Sequence, residues 1–304
     1  MHRNAYVLLL LTALFWGGNS VAGKLAVGHV SPMLLTALRW GIAAVILGAI
    51  GWRRLRLDWP AVRGNLPLLT LLGALGFTVF NAALYSALNF TTAINTSIEQ
   101  AGIPMFIFAA NFLLFRIKVT IAQVFGFVLS LTGIALTASH GDLTTLLMLD
   151  VNFGDTLMLI AVLVYSAYTV ALRFKPEIHW QSLMIVLTGS AFVMSIPFAL
   201  WEMNAGRLIL PDATGWLLTG YIVLFPSTIA QIFYIRGVEL IGANRAGLFI
   251  NMVPIFGTIL SVLIIGEDFQ LYHAIAFALV LGGIWIAEHS GRKMALEPPN
   301  ANPG

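Results

Sequence analysis

A chain of 304 residues that is 59% hydrophobic and only 10% charged is no soluble domain, where charged residues make up about 25%. Its net charge of +3 is distributed by segment, not gathered in a groove, which argues against nucleic acid as a partner. Zero cysteines exclude disulfides, thiolate metal sites and cysteine nucleophiles.

In chain order, apolar stretches near the ~20 residues that cross ~30 Å of hydrocarbon run over 5–23, 33–51, 66–88, 95–115 and 119–138, then 153–173, 180–200, 213–235, 245–265 and 272–289. The fold class expected is an all-α polytopic membrane protein, about ten transmembrane helices in two inverted five-helix repeats. The first stretch follows His2-Arg3 and ends near Ser20-Val21-Ala22, as a signal peptide would. Cleavage there would remove a helix whose partner in the second half is intact, so the segment is expected to stay. Its Gly18 to Lys24 run fits most of a phosphate loop but is followed by Leu25 where Ser or Thr would hold magnesium. Small residues for helix packing are the better reading.

A duplication organises the rest. Around Pro104 the chain reads Ala101-Gly102-Ile103-Pro104-Met105-Phe106, and around Pro254 it reads Asn251-Met252-Val253-Pro254-Ile255-Phe256, 150 positions later. The same offset pairs Phe127 with Phe277, Leu131 with Leu281, Gly133 with Gly283 and Ile134 with Ile284. The domains expected are 1–140 for the first repeat, 141–152 for an outer connector whose Leu143 to Leu149 stretch is too short to span, 153–289 for the second repeat, and 290–304 for a disordered cytoplasmic tail. Five helices per repeat is odd, so the second copy enters the membrane from the opposite face. Helices broken at matching places in two halves point to a carrier's binding site, with Pro104 and Pro254 as break or gating residues.

Thirteen of the sixteen Lys and Arg lie in loops and termini on one side, from Arg3 through Arg53, Arg54 and Arg56 to Arg292 and Lys293. Only Lys24 and Arg207 lie on the other, and Arg39 falls inside a helix. The positive-inside rule then puts both termini in the cytoplasm of a bacterial inner membrane.

Polar groups inside a membrane are expensive and become functional candidates. Thr78, Asn81 and Tyr85 share one face of the third helix, and Ser227, Gln231 and Tyr234 are their counterparts in the eighth. Trp16 and Asn19 share a face of the first helix, Tyr165, Tyr168 and Thr169 cluster in the sixth, and Asn251 precedes Pro254 by one turn. The candidate substrate-binding set is Trp16, Asn19, Asn81, Tyr85, Glu99, Tyr165, Tyr168, Gln231 and Asn251. Glu99 and Arg39 lie at similar depth, which allows a buried ion pair; Glu99 could equally meet a substrate ammonium or carry a proton. Gly126, Ser130 and Gly133, with Ala274, Ala278 and Gly282, form small-residue stripes read as packing between the fifth and tenth helices or across a dimer.

The chain resembles the drug/metabolite transporter superfamily in its duplicated EamA form, and within it the YddG-type aromatic amino-acid exporters. The resemblance rests on Ala13-Leu14-Phe15-Trp16-Gly17, Leu38-Arg39, Gly154-Asp155, Tyr165-Ser166-Ala167-Tyr168, Pro254 and Gly266-Glu267. It implies ten helices, an inverted repeat and a central cavity lined by both halves. The first repeat departs from it with Arg116-Ile117 where Gly266-Glu267 would be mirrored. The function expected is export of amino acids, aromatic ones above all, by alternating access around that cavity. The alternatives are a multidrug or general metabolite exporter and, from another class, an intramembrane enzyme, against which stands the lack of a nucleophile elbow or zinc motif. No cofactor or metal is expected; the partners are a small solute and the bilayer.

Overall fold

The structure is a computed structural model and describes residues 2–116, 120–142, 152–242, 246 and 249–296. All regular structure among the described residues is helical. The membrane-scale helices are α1 His2–Leu25, α2 Pro32–Gly64, α3 Leu66–Ala87, α4 Ala93–Phe115, α5 Ile121–Ala138, α6 Phe153–Phe174, α7 Trp180–Asn204, α8 Ala213–Ile241, α9 Ile250–Ile265 and α10 Leu271–Leu296. The first eight are long and apolar enough to cross a membrane, while α9 and the apolar part of α10 are shorter. The chain is therefore a multi-pass membrane protein.

Two boundaries depart from hydropathy. Helix α2 does not stop near residue 51 but continues to Gly64 through Pro60, reaching about 50 Å at 1.5 Å per residue. Its last turns carry Arg53, Arg54, Arg56 and Arg63, all exposed, and extend beyond a 30 Å core. Helix α10 runs to Leu296, so residues 290–296 are helical and not a disordered tail. The tail beyond 296 and the Leu143 to Leu149 stretch lie outside the described residues.

The packing has two-fold logic. Helix α1 of the first half packs on α8 and α9 of the second, while α6 of the second packs on α3 and α4 of the first. Helices α2 and α7 pair with each other, as do α5 and α10, and α4 meets α9. Each half thus lends its first helix to the other. The α2–α7 pair is clasped reciprocally at its ends: Glu202 near the end of α7 accepts from the Met33 and Leu34 N–H groups that open α2. Asp58 of α2 accepts from the His179 N–H and the Ser182 hydroxyl at the start of α7. Both carboxylates satisfy donors that a helix start leaves unpaired and sit at the positive end of its dipole.

The α5–α10 seam lies on the symmetry axis. The Ser130 hydroxyl donates to the Val280 carbonyl at 3.2 Å, residues 150 apart. Gly126 faces the Gly283 carbonyl and Gly133 the Ala276 carbonyl, with no room for a Cβ at either. The stripe on α10 is thus Ala276, Val280, Gly283 and Ala287, all buried. Ala274 and Ala278, expected on that seam, are exposed, and Gly282 faces nothing closer than 4.0 Å.

Both halves also carry a local unwinding in the third helix of the repeat: Ala74–Val79 in α3 and Val223–Ile229 in α8 form wider, i→i+5 turns. In α8 the cause is visible. Pro226 has no N–H for the Ile222 carbonyl, and the Ser227 hydroxyl supplies the missing donor at 2.7 Å. The Thr228 hydroxyl also donates to the Val223 carbonyl, at 2.9 Å. Gly76 stands in the mirrored position of α3, where the Tyr168 ring fills the space a Cβ would need.

Candidate functional site

The breaks fall just before the two prolines. Helix α4 consists of Ala93–Gln100 and Ile103–Phe115 joined by a turn at Ala101 and Gly102, and α9 opens with a tight turn, Ile250–Met252, before Val253–Leu260. Pro104 and Pro254 each occupy the second position of the helix that follows, where a missing N–H costs nothing. The broken segments meet the unwound segments of α3 and α8 around a cavity of about 440 Å³ that draws residues from both halves.

The cavity wall includes Trp16, Asn19, Asn81, Tyr165, Tyr168, Gln231 and Asn251 of the candidate set, together with Pro104 and Pro254. Aromatic rings build much of it. Trp40 meets Phe77 edge-on at 4.5 Å, Phe77 meets Tyr168 at 5.8 Å, Tyr168 meets Tyr165 at 5.3 Å, and Tyr165 meets Phe80 at 4.8 Å. Across the space Trp16 packs on Tyr234 at 5.4 Å and donates its indole N–H to the Pro226 carbonyl at 3.1 Å, a group within the unwound turn of α8. Among the described residues, the Tyr165, Tyr168 and Tyr234 hydroxyls and the Gln231 and Asn251 amides have no protein hydrogen-bond partner, yet none is sealed from the cavity. A buried polar group without a partner costs free energy unless water or a solute satisfies it.

At one end of the cavity stands Arg39, 6% exposed. Its Nε donates to the Ser227 hydroxyl at 2.7 Å, and its Nη1 to Asn19 Oδ1 at 3.1 Å, to Asn81 Oδ1 at 2.6 Å and to the Tyr85 hydroxyl. The guanidinium also lies 4.5 Å from the centre of the Trp40 ring. Tyr85 in turn donates to Asn19 Oδ1 at 2.9 Å. Residues of α1, α2, α3 and α8 are tied together here.

The Arg39–Glu99 ion pair that similar depth allowed does not form. Arg39 spends its donors on neutral acceptors, and Glu99 is 2% exposed with its Oε2 unpartnered. Glu99 is absent from the cavity wall, because its side of α4 faces the helix bundle; its neighbour Gln100 lines the space instead. Tyr85 also lies outside the wall, fully buried behind Arg39. Sequence reasoning missed Trp40 and Gln100. Each sits beside a residue it had singled out, Arg39 and Glu99.

Toward the termini the cavity wall reaches Leu172, near the end of α6, and Ile250, the first residue of α9. The opposite side is closed. A core of Ala22, Ala26, Leu35, Leu84, Leu88, Met158 and their neighbours fills it. Above that core Glu267 accepts from the Ala93 and Ile94 N–H groups that begin α4, at 2.8 and 2.9 Å. Lys24 donates to the Leu88 and Thr91 carbonyls that end α3, so it caps a helix and cradles no phosphate. Asp155 accepts from the Thr91 hydroxyl at 2.5 Å and pairs with His140 at 3.2 Å. Gly154, backed against the Ala87 carbonyl and the Thr91 N–H, lets α6 approach that close. The Gly154-Asp155 and Gly266-Glu267 motifs thus fasten the closed side. Arg116 and Gly266, 150 apart, both adopt left-handed backbone, a helix-ending conformation that glycine takes without strain.

Two segments, residues 3–139 and 152–287, match the model of the EamA-like transporter family. The chain belongs to the EamA-like transporter family. It is 27% identical to the uncharacterized transporter YetK of Bacillus subtilis (strain 168), over 93% of this chain and 86% of that one. It is 25% identical to the uncharacterized transporter YyaM of the same organism, over 94% of each. An uncharacterized transporter of Archaeoglobus fulgidus is 26% identical over 94% of this chain and 98% of its own. A solved crystal structure of a protein 22% identical aligns with a TM-score of 0.63 over 95% of this chain and 98% of that one, which supports the fold. As an EamA-like transporter the chain handles a small-molecule substrate within a lipid bilayer, and its two family segments correspond to the two repeats.

The prolines of this transporter offer a direct test of the broken helices. Alanine at position 104 or 254 restores an N–H and lets the helix continue through the break. Pro104→Ala and Pro254→Ala should each change flux in proteoliposomes more than they change protein abundance. Wild-type flux in both single variants and in the double variant would make the prolines packing features alone.

Proposed function

We propose that this EamA-like transporter exports amino acids, aromatic ones foremost, from the cytoplasm across a bacterial inner membrane by alternating access. The observation that carries the reading is the cavity between the repeats, where aromatic walls stand beside hydroxyl and amide groups that have no protein partner. A flat ring packs on Trp16, Trp40, Phe77, Tyr165 and Tyr168 with favourable edge and face contacts. The free amides and hydroxyls exchange hydrogen bonds with a polar head group. Substrate recognition is assigned to Trp16, Asn19, Asn81, Tyr165, Tyr168, Gln231 and Asn251. Tyr85 acts through Arg39, and Glu99 lies outside the wall.

The thirteen-to-two basic asymmetry supports cytoplasmic termini. With that orientation, a cavity that extends toward the termini and is fastened on the other side corresponds to an inward-facing state. Release outward then requires the Glu267, Lys24 and Asp155 fastenings to part while the terminal side closes, a rocking of the halves about their shared axis. The test is uptake and efflux in proteoliposomes with a panel of amino acids, with and without a pH gradient. Phenylalanine, tyrosine or tryptophan flux above that of alanine and lysine is the expected result. Equal flux of all amino acids, or none, would overturn the aromatic assignment.

A further inference from the structure

Among the described residues that line the cavity, Arg39 alone carries a formal charge. All four of its protein acceptors are neutral: Ser227, Asn19, Asn81 and Tyr85. Such acceptors satisfy N–H groups but do not cancel a charge, and a buried charge normally finds an opposite one. The bonds are also unevenly spread. They occupy Nε and Nη1, whereas Nη2 has no protein acceptor among the described residues and is not sealed by its surroundings. The guanidinium is therefore fixed in orientation from α1, α3 and α8, with one donor edge open.

We propose that the open edge of Arg39 is the anchor for a substrate carboxylate, and that the carboxylate, not the ammonium, is the charge by which this transporter selects its solute. The inference rests on the cavity being the substrate site. It goes further in the solute it admits. Among the described residues no Asp or Glu lines the cavity, so an ammonium placed there meets only hydroxyls and amide oxygens, which attract it less than a carboxylate would. A carboxylate on Arg39 gains a charge-assisted bond and cancels the buried charge. A fixed guanidinium also loses little freedom when it binds a planar anion. A phosphate dianion would bring a second negative charge with no second cation among the described lining residues to meet it. The favoured class is thus the aromatic monocarboxylate, with or without an α-amino group, its ring against the Trp40–Phe77–Tyr168–Tyr165 wall. Aromatic amines that lack the acid are rejected, because they would place a cation in a site that already holds one.

Three ligands that share a phenylethyl skeleton separate the possibilities. Phenylalanine carries both charges, 3-phenylpropionate only the acid, and phenethylamine only the amine. Binding to the purified full-length protein is read by the quenching of tryptophan fluorescence, since Trp16 and Trp40 line the cavity. Phenylalanine and 3-phenylpropionate should bind with similar affinity, and phenethylamine at least about tenfold more weakly, the ratio a charge-assisted hydrogen bond supports. Arg39→Gln should abolish that preference. Arg39→Lys, which keeps the charge but loses the anchored fork, should recover part of it. The wild-type comparison needs no variant, so a failure of Arg39→Gln to fold leaves the test intact.

The outcomes divide cleanly. If 3-phenylpropionate binds and phenylalanine does not, the amino-acid reading falls while the carboxylate anchor stands. If phenylalanine binds and 3-phenylpropionate does not, the ammonium is required and the anchor inference falls while the amino-acid reading stands. Phenethylamine binding as tightly as the acids, or a folded Arg39→Gln protein with unchanged preference, overturns the anchor. Binding of none of the three overturns both.

Discussion

Gln231→Leu should leave the protein folded and its transport of an aromatic amino acid impaired, whereas Asn81→Leu should impair both. The two positions are mirror images, 150 apart, yet their surroundings differ. Gln231 lines the cavity and has no protein partner among the described residues, so leucine removes nothing the described fold uses, and its stability should stay within about 0.5 kcal/mol. What is lost is a hydrogen bond to the solute. Transport should weaken by about 1–3 kcal/mol, roughly five- to 150-fold. Asn81 accepts from Arg39 Nη1 and donates to the Phe77 carbonyl at 2.7 Å. The Phe77 carbonyl keeps the Trp40 indole as a second donor, but the guanidinium loses one of the acceptors that orient it. Asn81→Leu should therefore cost about 1–3 kcal/mol of stability as well. Thermal melting in detergent reads the first effect and proteoliposome flux the second. A folded Gln231→Leu protein with wild-type flux would move the solute to another face of the cavity.

Much of this architecture is legible in the sequence because a membrane makes hydropathy and spacing nearly sufficient. The ten apolar runs, the 150-residue offset and the breaks at Pro104 and Pro254 follow from lengths and residue types alone, and all reappear as helices and turns. Depth is legible in the same way, but azimuth is not. Arg39 and Glu99 sit at similar depth, which made an ion pair reasonable; the faces of α2 and α4 that carry them point to different neighbours. Tyr85 lies on the expected face of α3, one layer behind the cavity. The register error on α10 has the same origin. Ala274, Ala278 and Gly282 have helical spacing, but so do Ala276, Val280, Gly283 and Ala287, and only the second set is mirrored onto Gly126, Ser130 and Gly133 by the offset of 150. The unwound turns of α3 and α8 left one sequence trace, Pro226 opposite Gly76 at the same offset of 150. A hydropathy profile does not register it.

The α5–α10 seam supplies the largest expected loss of stability, and it discriminates between the two stripes. A side chain on Gly126 would fall on the Gly283 carbonyl and the Ala287 backbone, and one on Gly283 would fall on the Gly126 carbonyl and Ser130. These obstacles are largely backbone, so relief requires the two helices to separate. Separation strips the Ser130–Val280 hydrogen bond and opens the seam shared by both halves. In lipid, where helices gain nothing by hiding apolar surface from one another, close backbone contact supplies much of the attraction. Gly126→Leu and Gly283→Leu should therefore each cost about 3 kcal/mol or more, at or beyond the upper end for overpacking. Gly282→Leu, one residue away and with only the flexible end of Leu129 within reach, at 4.0 Å, should stay within about 0.5 kcal/mol of wild type. Size-exclusion profiles and thermal melts of the three purified variants make the comparison. A destabilised Gly282→Leu beside a stable Gly283→Leu would reverse the register of α10 and, with it, the symmetry axis that relates the two halves.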